Sequence, residues 1–109
     1  MNKSFKYKKK NINWFMKAIW NNKTIAESDD IVKIEGNSYF PFKSVNKDYL
    51  KESDSKSVCP WKGTASYYNI EVDGETNPDA VWYYSNPSWF AKKIKNRVAF
   101  WKGVEIIDE

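Results

Sequence analysis

The sequence contains no histidine and one cysteine, and only four glycines and four prolines in 109 residues. Each shortage removes a class of chemistry or structure. Without histidine there is no imidazole general base, no Ser-His or Cys-His triad, and no His-bearing zinc cluster. With Cys59 alone, no disulfide can close within the chain and no second thiol can resolve a sulfenic acid. Leu50 is the single leucine, and a helical domain would lean on leucine, alanine and glutamate. The apolar stretch Ile12–Trp20 carries Lys17 and falls short of the roughly 20 residues a helix needs to cross a bilayer. It also lacks a small-residue cleavage site, so no secretory signal is expected. The expectation is therefore a cytoplasmic chain with no membrane partner.

What the chain has in quantity is aromatic surface. Trp, Tyr and Phe make up 17% of the residues, and with the β-branched residues they suit a half-buried pleated sheet. The length fits one domain with a single modest core. The formal charge is +4, but residues 1–10 hold five of the 18 basic residues and no acid. Beyond Lys10, 13 basic residues face 14 acidic ones, so the body carries about −1. A phosphate-tracking groove needs its cations on the folded surface, so nucleic acid is not the expected partner. Residues 1–16 read as a flexible basic leader, and 17–109 as one β-rich domain.

The strand pattern is legible in most places. Lys17–Trp20 and Thr24–Ser28 flank Asn21-Asn22-Lys23, a hairpin signal because asparagine tolerates positive φ. Ile31–Glu35 and Ser38–Phe42 flank Gly36-Asn37, with Pro41 expected at an edge or a strand end. Asn46 is placed to cap a short helical turn through Leu50. Residues 51–57 are polar and serine-rich, and read as a loop. In Thr64–Val72, Ser66, Tyr68, Ile70 and Val72 share one face, and Ala65, Tyr67, Asn69 and Glu71 the other. Asp73–Asp79 reads as a loop. In Ala80–Tyr84, Trp82 and Tyr84 oppose Val81 and Tyr83. Asn86-Pro87 reads as a cap with proline at the first position of a helix running to about Ile94. Arg97–Trp101 and Val104–Ile107, around Lys102-Gly103, read as a terminal hairpin. The sum is mainly β, about seven strands with one or two short helices.

Four blocks carry a family resemblance: Gly36-Asn37-Ser38-Tyr39-Phe40-Pro41, Cys59-Pro60-Trp61-Lys62-Gly63, Val81-Trp82-Tyr83-Tyr84 and Val98-Ala99-Phe100-Trp101. In these the chain resembles domain-of-unknown-function family 427, for which a nucleotidyltransferase-like label is in use. The Cys-Pro-Trp-Lys-Gly block, followed by Tyr67-Tyr68, is the most specific, and the blocks together cover roughly 18–106. The resemblance implies two antiparallel sheets leaning together like a tent, with a cavity between them. It implies no particular reaction. Nucleotidyl transfer needs carboxylates holding magnesium against a triphosphate and a Gly-Ser turn to grip it. The adjacent pair Asp29-Asp30 sits in a turn with no such partner, and the glycines follow no phosphate-loop pattern.

The candidate ligand-binding residues are Tyr39, Cys59, Lys62, Tyr67, Trp82 and Tyr84. Each has a plain structural reading beside the functional one. Cys59 is a small buried hydrophobe, or a thiol whose thiolate is favoured by Lys62. Lys62 is a strand-end lysine with its head in water, or the anchor for an anionic group at a cavity mouth. Tyr67, Trp82 and Tyr84 are core rings, or the lining of a pocket for a planar, partly polar molecule. Tyr39 belongs to an edge strand, or faces the same cavity. The first functional reading is a small-molecule-binding module with no cofactor. The second is a Cys59-centred redox or thiol enzyme. The third is single-stranded nucleic-acid binding through aromatic stacking and the basic leader. No metal site is expected, and the oligomeric state and ligand identity stay open.

Overall fold

A computed structural model describes residues 15–108, so most of the basic leader lies outside the described residues. Nine strands follow in order: β1 (Met16–Trp20), β2 (Lys23–Ser28), β3 (Val32–Ile34), β4 (Asn37–Pro41), β5 (Leu50–Cys59), β6 (Gly63–Val72), β7 (Glu75–Tyr83), β8 (Arg97–Phe100) and β9 (Glu105–Asp108). They form two antiparallel sheets, a small one ordered β9-β1-β2 and a large one ordered β3-β4-β8-β7-β6-β5. The helical pieces are short 3₁₀ turns at Phe42–Ser44, Lys47–Tyr49 and Trp89–Ile94. No helix among the described residues is long and apolar enough to cross a membrane.

The tight turns follow from residues that accept positive φ. Asn21 and Asn22 take φ of 50° and 65° between β1 and β2, and Asp73 and Gly74 take 51° and 81° between β6 and β7. Such left-handed pairs match the twist of the strands they join. Asn46 caps its turn as expected, its side chain accepting from the Asp48 amide at 3.0 Å. Pro41 ends β4, where its missing N–H costs no ladder bond.

Two segments read as loops are strands. Residues 51–57 belong to β5, which pairs with β6 from Leu50↔Ile70 to Cys59↔Gly63. Its period is broken by an irregularity between Glu52 and Lys56, where Asp79 accepts from Ser53 at 2.5 Å and from Ser55 at 2.7 Å. An edge strand needs no apolar outer row, so serine and lysine suffice there, and the bulge blunts an otherwise open edge. The stretch 75–79 continues β7 up to a left-handed Asp79 at φ 57°, whose amide is held by Asn69 Oδ1. The loop is only Asp73-Gly74.

Two further expectations give way to tertiary contacts. The last 3₁₀ segment starts at Trp89 rather than after Asn86, because Ser88 donates to the Trp61 carbonyl instead of capping its own turn. Lys102-Gly103 does turn the chain, with φ of 56° and 85°, but β8 and β9 do not pair with each other. β8 lies between β4 and β7, while β9 joins β1 in the other sheet. The turn therefore carries the chain from one sheet to the other.

The main core lies between the sheets. Met16 and Ala18 of β1 and Ile25 and Ala26 of β2 pack on Phe40, Ile70, Val72, Val81, Val98 and Phe100 of the large sheet. Each of the larger of these side chains, the alanines aside, contributes on the order of 1.5–3 kcal/mol by leaving water. A second cluster, Tyr39, Ala65, Tyr84, Ala91, Ile94 and Ala99, lies on the opposite face of the large sheet under the Trp89–Ile94 segment. The alternation read from β6 and β7 sorts these residues correctly. Tyr68, Ile70, Val81 and Tyr83 face inward towards the small sheet, and Ala65, Tyr67 and Trp82 face outward.

Candidate functional site

The six residues singled out from the sequence come together on the outer face, away from the space between the sheets. Tyr39 is wholly buried, and its hydroxyl accepts from the Trp82 indole at 3.2 Å with the two rings edge to face at 6.2 Å. Trp82 also meets Trp101 edge to face at 5.7 Å. Tyr84 and the half-buried Tyr67 and Cys59 complete the cluster, and Tyr67 shares a hydrogen bond with Ser57 at 2.8 Å. Tyr39, Trp82 and Tyr84 thus pack as the core rings of this face.

Lys62 is the exception to the rule that lysine heads reach water. It is 6% exposed, and its ammonium lies 2.5 Å from Glu35 Oε1. The charge also sits over the rings of Trp61 and Tyr84, at 5.4 and 5.6 Å from their centroids. Burial pushes the Lys62 ammonium down, but the Glu35 hydrogen bond and the nearby Tyr39 and Tyr84 outweigh it, so the net shift is upward. The Lys62 bond in turn holds the Glu35 carboxyl below its ordinary value, helped by the Trp61 indole, which donates to Glu35 at 3.2 Å. Gly63, at φ 115°, lets the chain pass close under the next loop. A Cβ there would stand 3.4 Å from the Asn86 carbonyl. The Ser88 amide bonds the Lys62 carbonyl at 2.9 Å, tying the two loops together.

Open space lies on the inner face. A crevice of about 550 Å³ is lined by Pro41, Phe42, Lys43, Tyr68, Tyr83, Tyr84, Ser85, Lys95, Asn96, Arg97 and Val98. These come from the large sheet and its loops, and none from the small sheet, so the cavity expected between the sheets has only one of them as its wall. Phe42, Tyr68 and Tyr83 form a row of nearly parallel rings, with centroids 6.0 Å apart for the first pair and 4.9 Å for the second. The Phe42 amide binds the Asn96 carbonyl at 2.9 Å, which joins the two loops of the rim. Burial, then the hydrogen bond with Tyr83, pushes the Tyr68 hydroxyl up to about 12, so it keeps its proton in neutral solution.

The lining includes three cations and no carboxylate. Arg97 is committed elsewhere, bonding Asp30 Oδ1 at 2.9 Å and the Asp30 carbonyl at 2.8 Å. Lys43 and Lys95 are exposed and make no ion pair or hydrogen bond among the described residues. Phe42, Tyr68 and Tyr83 are not among the residues singled out from the sequence, although Tyr68 and Tyr83 adjoin Tyr67, Trp82 and Tyr84 in the chain. The usable signal was the alternation itself, which placed Tyr68 and Tyr83 on a shared face. No group of three or more metal-ligating side chains occurs among the described residues.

A family model described as a domain of unknown function, DUF427, matches residues 10–109. No curated protein matches the sequence.

Proposed function

The chain belongs to the DUF427 family, and from that premise we propose that it is a binding module for a small, partly planar, anionic molecule, held in the inner-face crevice. The observation that carries this reading is the crevice of about 550 Å³ with three aromatic rings, two uncommitted lysines and no carboxylate in its lining. That volume falls within the roughly 300–1,000 Å³ of ordinary ligand pockets. The rings of Phe42, Tyr68 and Tyr83 stack on one another, so a ligand meets their edges, hydroxyls and the outermost ring face. Lys43 and Lys95 at the rim complement an acidic group.

A metabolite panel screened by thermal shift tests this. Acidic aromatic compounds should raise the melting temperature of the wild-type chain, and the rise should shrink in a Lys43→Ala/Lys95→Ala double variant. A panel that leaves melting unchanged would remove the reading, as would a shift that the double variant retains in full.

A further inference from the structure

We infer that Lys62 is the anion seat of a second binding site on the outer face, occupied in this structure by the chain's own Glu35, and that the site takes a small molecule with a carboxylate head and an apolar body. This does not rest on the crevice: the two sites share the Tyr84 ring but no charged group, so either assignment can fail alone.

The inference starts from the way Lys62 is satisfied. A lysine this deeply buried needs a counter-charge, and the one within reach comes from an exposed turn. Glu35 and Gly36 form that turn, with φ of 56° and 80°. Such a pair favours asparagine or glycine at its first position, and glutamate adopts it at a steric cost. What glutamate adds there is reach: its carboxylate accepts from Lys62 through Oε1 and from the Trp61 indole through Oε2. The turn is carried by β3, a three-residue edge strand paired only with β4. The acid is thus delivered by a turn at the tip of an edge hairpin, and the lysine and indole that receive it lie in the turn between β5 and β6, which the Ser88 amide ties down through the Lys62 carbonyl. A free carboxylate can replace both hydrogen bonds one for one.

The surroundings indicate what such a carboxylate would be attached to. Val58, Trp89 and Phe90 are 76%, 74% and 77% exposed, and Trp61 is 38% exposed. Trp61, Trp89 and Phe90 stand on the two segments that Ser88 ties together through the backbone of Trp61 and Lys62, and Val58 lies near the end of β5, before that turn. Apolar surface of this kind beside a buried cation complements a ligand with one charged end and a hydrophobic remainder. The space Glu35 would vacate is that of a flat two-oxygen head, which favours carboxylate over a tetrahedral anion.

The test uses the full-length chain with Glu35→Gln, which keeps the shape of the turn and removes the internal anion. The probes are 4-phenylbutyrate, its uncharged amide and acetate, read by thermal shift and by the Trp61 indole N–H signal in NMR. The acid should bind E35Q about tenfold or more tightly than wild type, because the wild-type seat is free only in the fraction of molecules whose Glu35 has left. Acetate should bind more weakly than 4-phenylbutyrate, and the amide should leave the indole signal in place. Equal binding to wild type and E35Q would overturn the inference, as would equal binding of acid and amide, or binding retained in Glu35→Gln/Lys62→Met. If E35Q does not melt cooperatively, Glu35→Asp serves instead, since the shorter side chain withdraws the carboxylate while keeping its charge. The same ordering of probes is required of it.

Discussion

The inner and outer faces of the large sheet are made from alternate residues of the same strands, yet they solve opposite problems. Inward, Tyr68 and Tyr83 project beyond the area that the small sheet covers, and the result is an open crevice with free cations at its rim. Outward, Tyr39, Trp82 and Tyr84 pack together, and Tyr84 lies under a lysine whose charge is already matched. Neighbouring residues in one strand, such as Trp82 and Tyr83, therefore end in different settings. The side of the sheet, and what happens to cover it, sets the role of a tyrosine more than its place in a motif does.

The largest test of this contrast is the weight each face carries in stability. Phe40→Ala, in the core between the sheets, should cost about 3–5 kcal/mol and Ile94→Ala, in the outer cluster, about 2–5 kcal/mol, with Phe40 the larger in denaturant titration. An Ile94→Ala loss that equals or exceeds it would mean that the outer cluster is as much a core as the inner one.

Next is the turn that brings Lys62 under the outer loops. Gly63→Ala meets both a φ of 115° and the Asn86 carbonyl, and should cost about 1–3 kcal/mol. Its structural effect should stay on the outer face. Amide shifts around Tyr68 and Tyr83 as large as those around Lys62 would show the two faces to be coupled.

The Lys62–Glu35 pair gives an asymmetric expectation. Lys62→Met keeps an apolar stem and releases Glu35 to water, so stability should change by about 1 kcal/mol or less. Glu35→Gln strands a buried ammonium and should be the more damaging of the two by chemical denaturation. The reverse order would show that Lys62 acts through its charge at a distance rather than through its burial.

The pH dependence follows with its sign fixed. Glu35 titrates below its ordinary value in the folded chain, so its contribution is present above pH 4.5 and is lost as pH falls through the lower folded value. Lys62 is shifted upward, so its contribution is complete below pH 10.5 and is lost as pH rises through the higher folded value. Urea midpoints of wild type should therefore fall at both ends, and Glu35→Gln should flatten the acid limb. An acid limb identical in both chains would remove Glu35 from the explanation.

The smallest effect concerns the crevice. Tyr68→Phe removes the hydroxyl bonded to Tyr83 and should cost about 1 kcal/mol. In wild type, ultraviolet titration should show one tyrosine ionising at about 12. If that late step persists in Tyr68→Phe, it belongs to another residue.

Much of the fold was legible because it is local. Alternation in β6 and β7 assigned faces residue by residue, Asn21-Asn22 and Asp73-Gly74 announced their turns, and Asn46 announced its cap. The failures share a cause. β5 could not be recognised because an edge strand with a bulge lacks the periodic apolar row that marks a strand. The Asn86-Pro87 start was displaced because Ser88 bonds across to Trp61, a partner 27 positions away. For the site, the motif blocks identified residues that do meet one another, but the crevice depends on rings and loops from separate parts of the chain.

The sequence by itself determined the class of structure, the turns and which side chains share a face, since backbone sterics and a period of two act over a few residues. Only the tertiary structure decided that β9 leaves β8 for β1, how far the small sheet covers the inner face, and that Glu35 reaches Lys62. Those outcomes depend on contacts between distant segments competing for the same apolar surface and the same charge, and no local pattern encodes who wins.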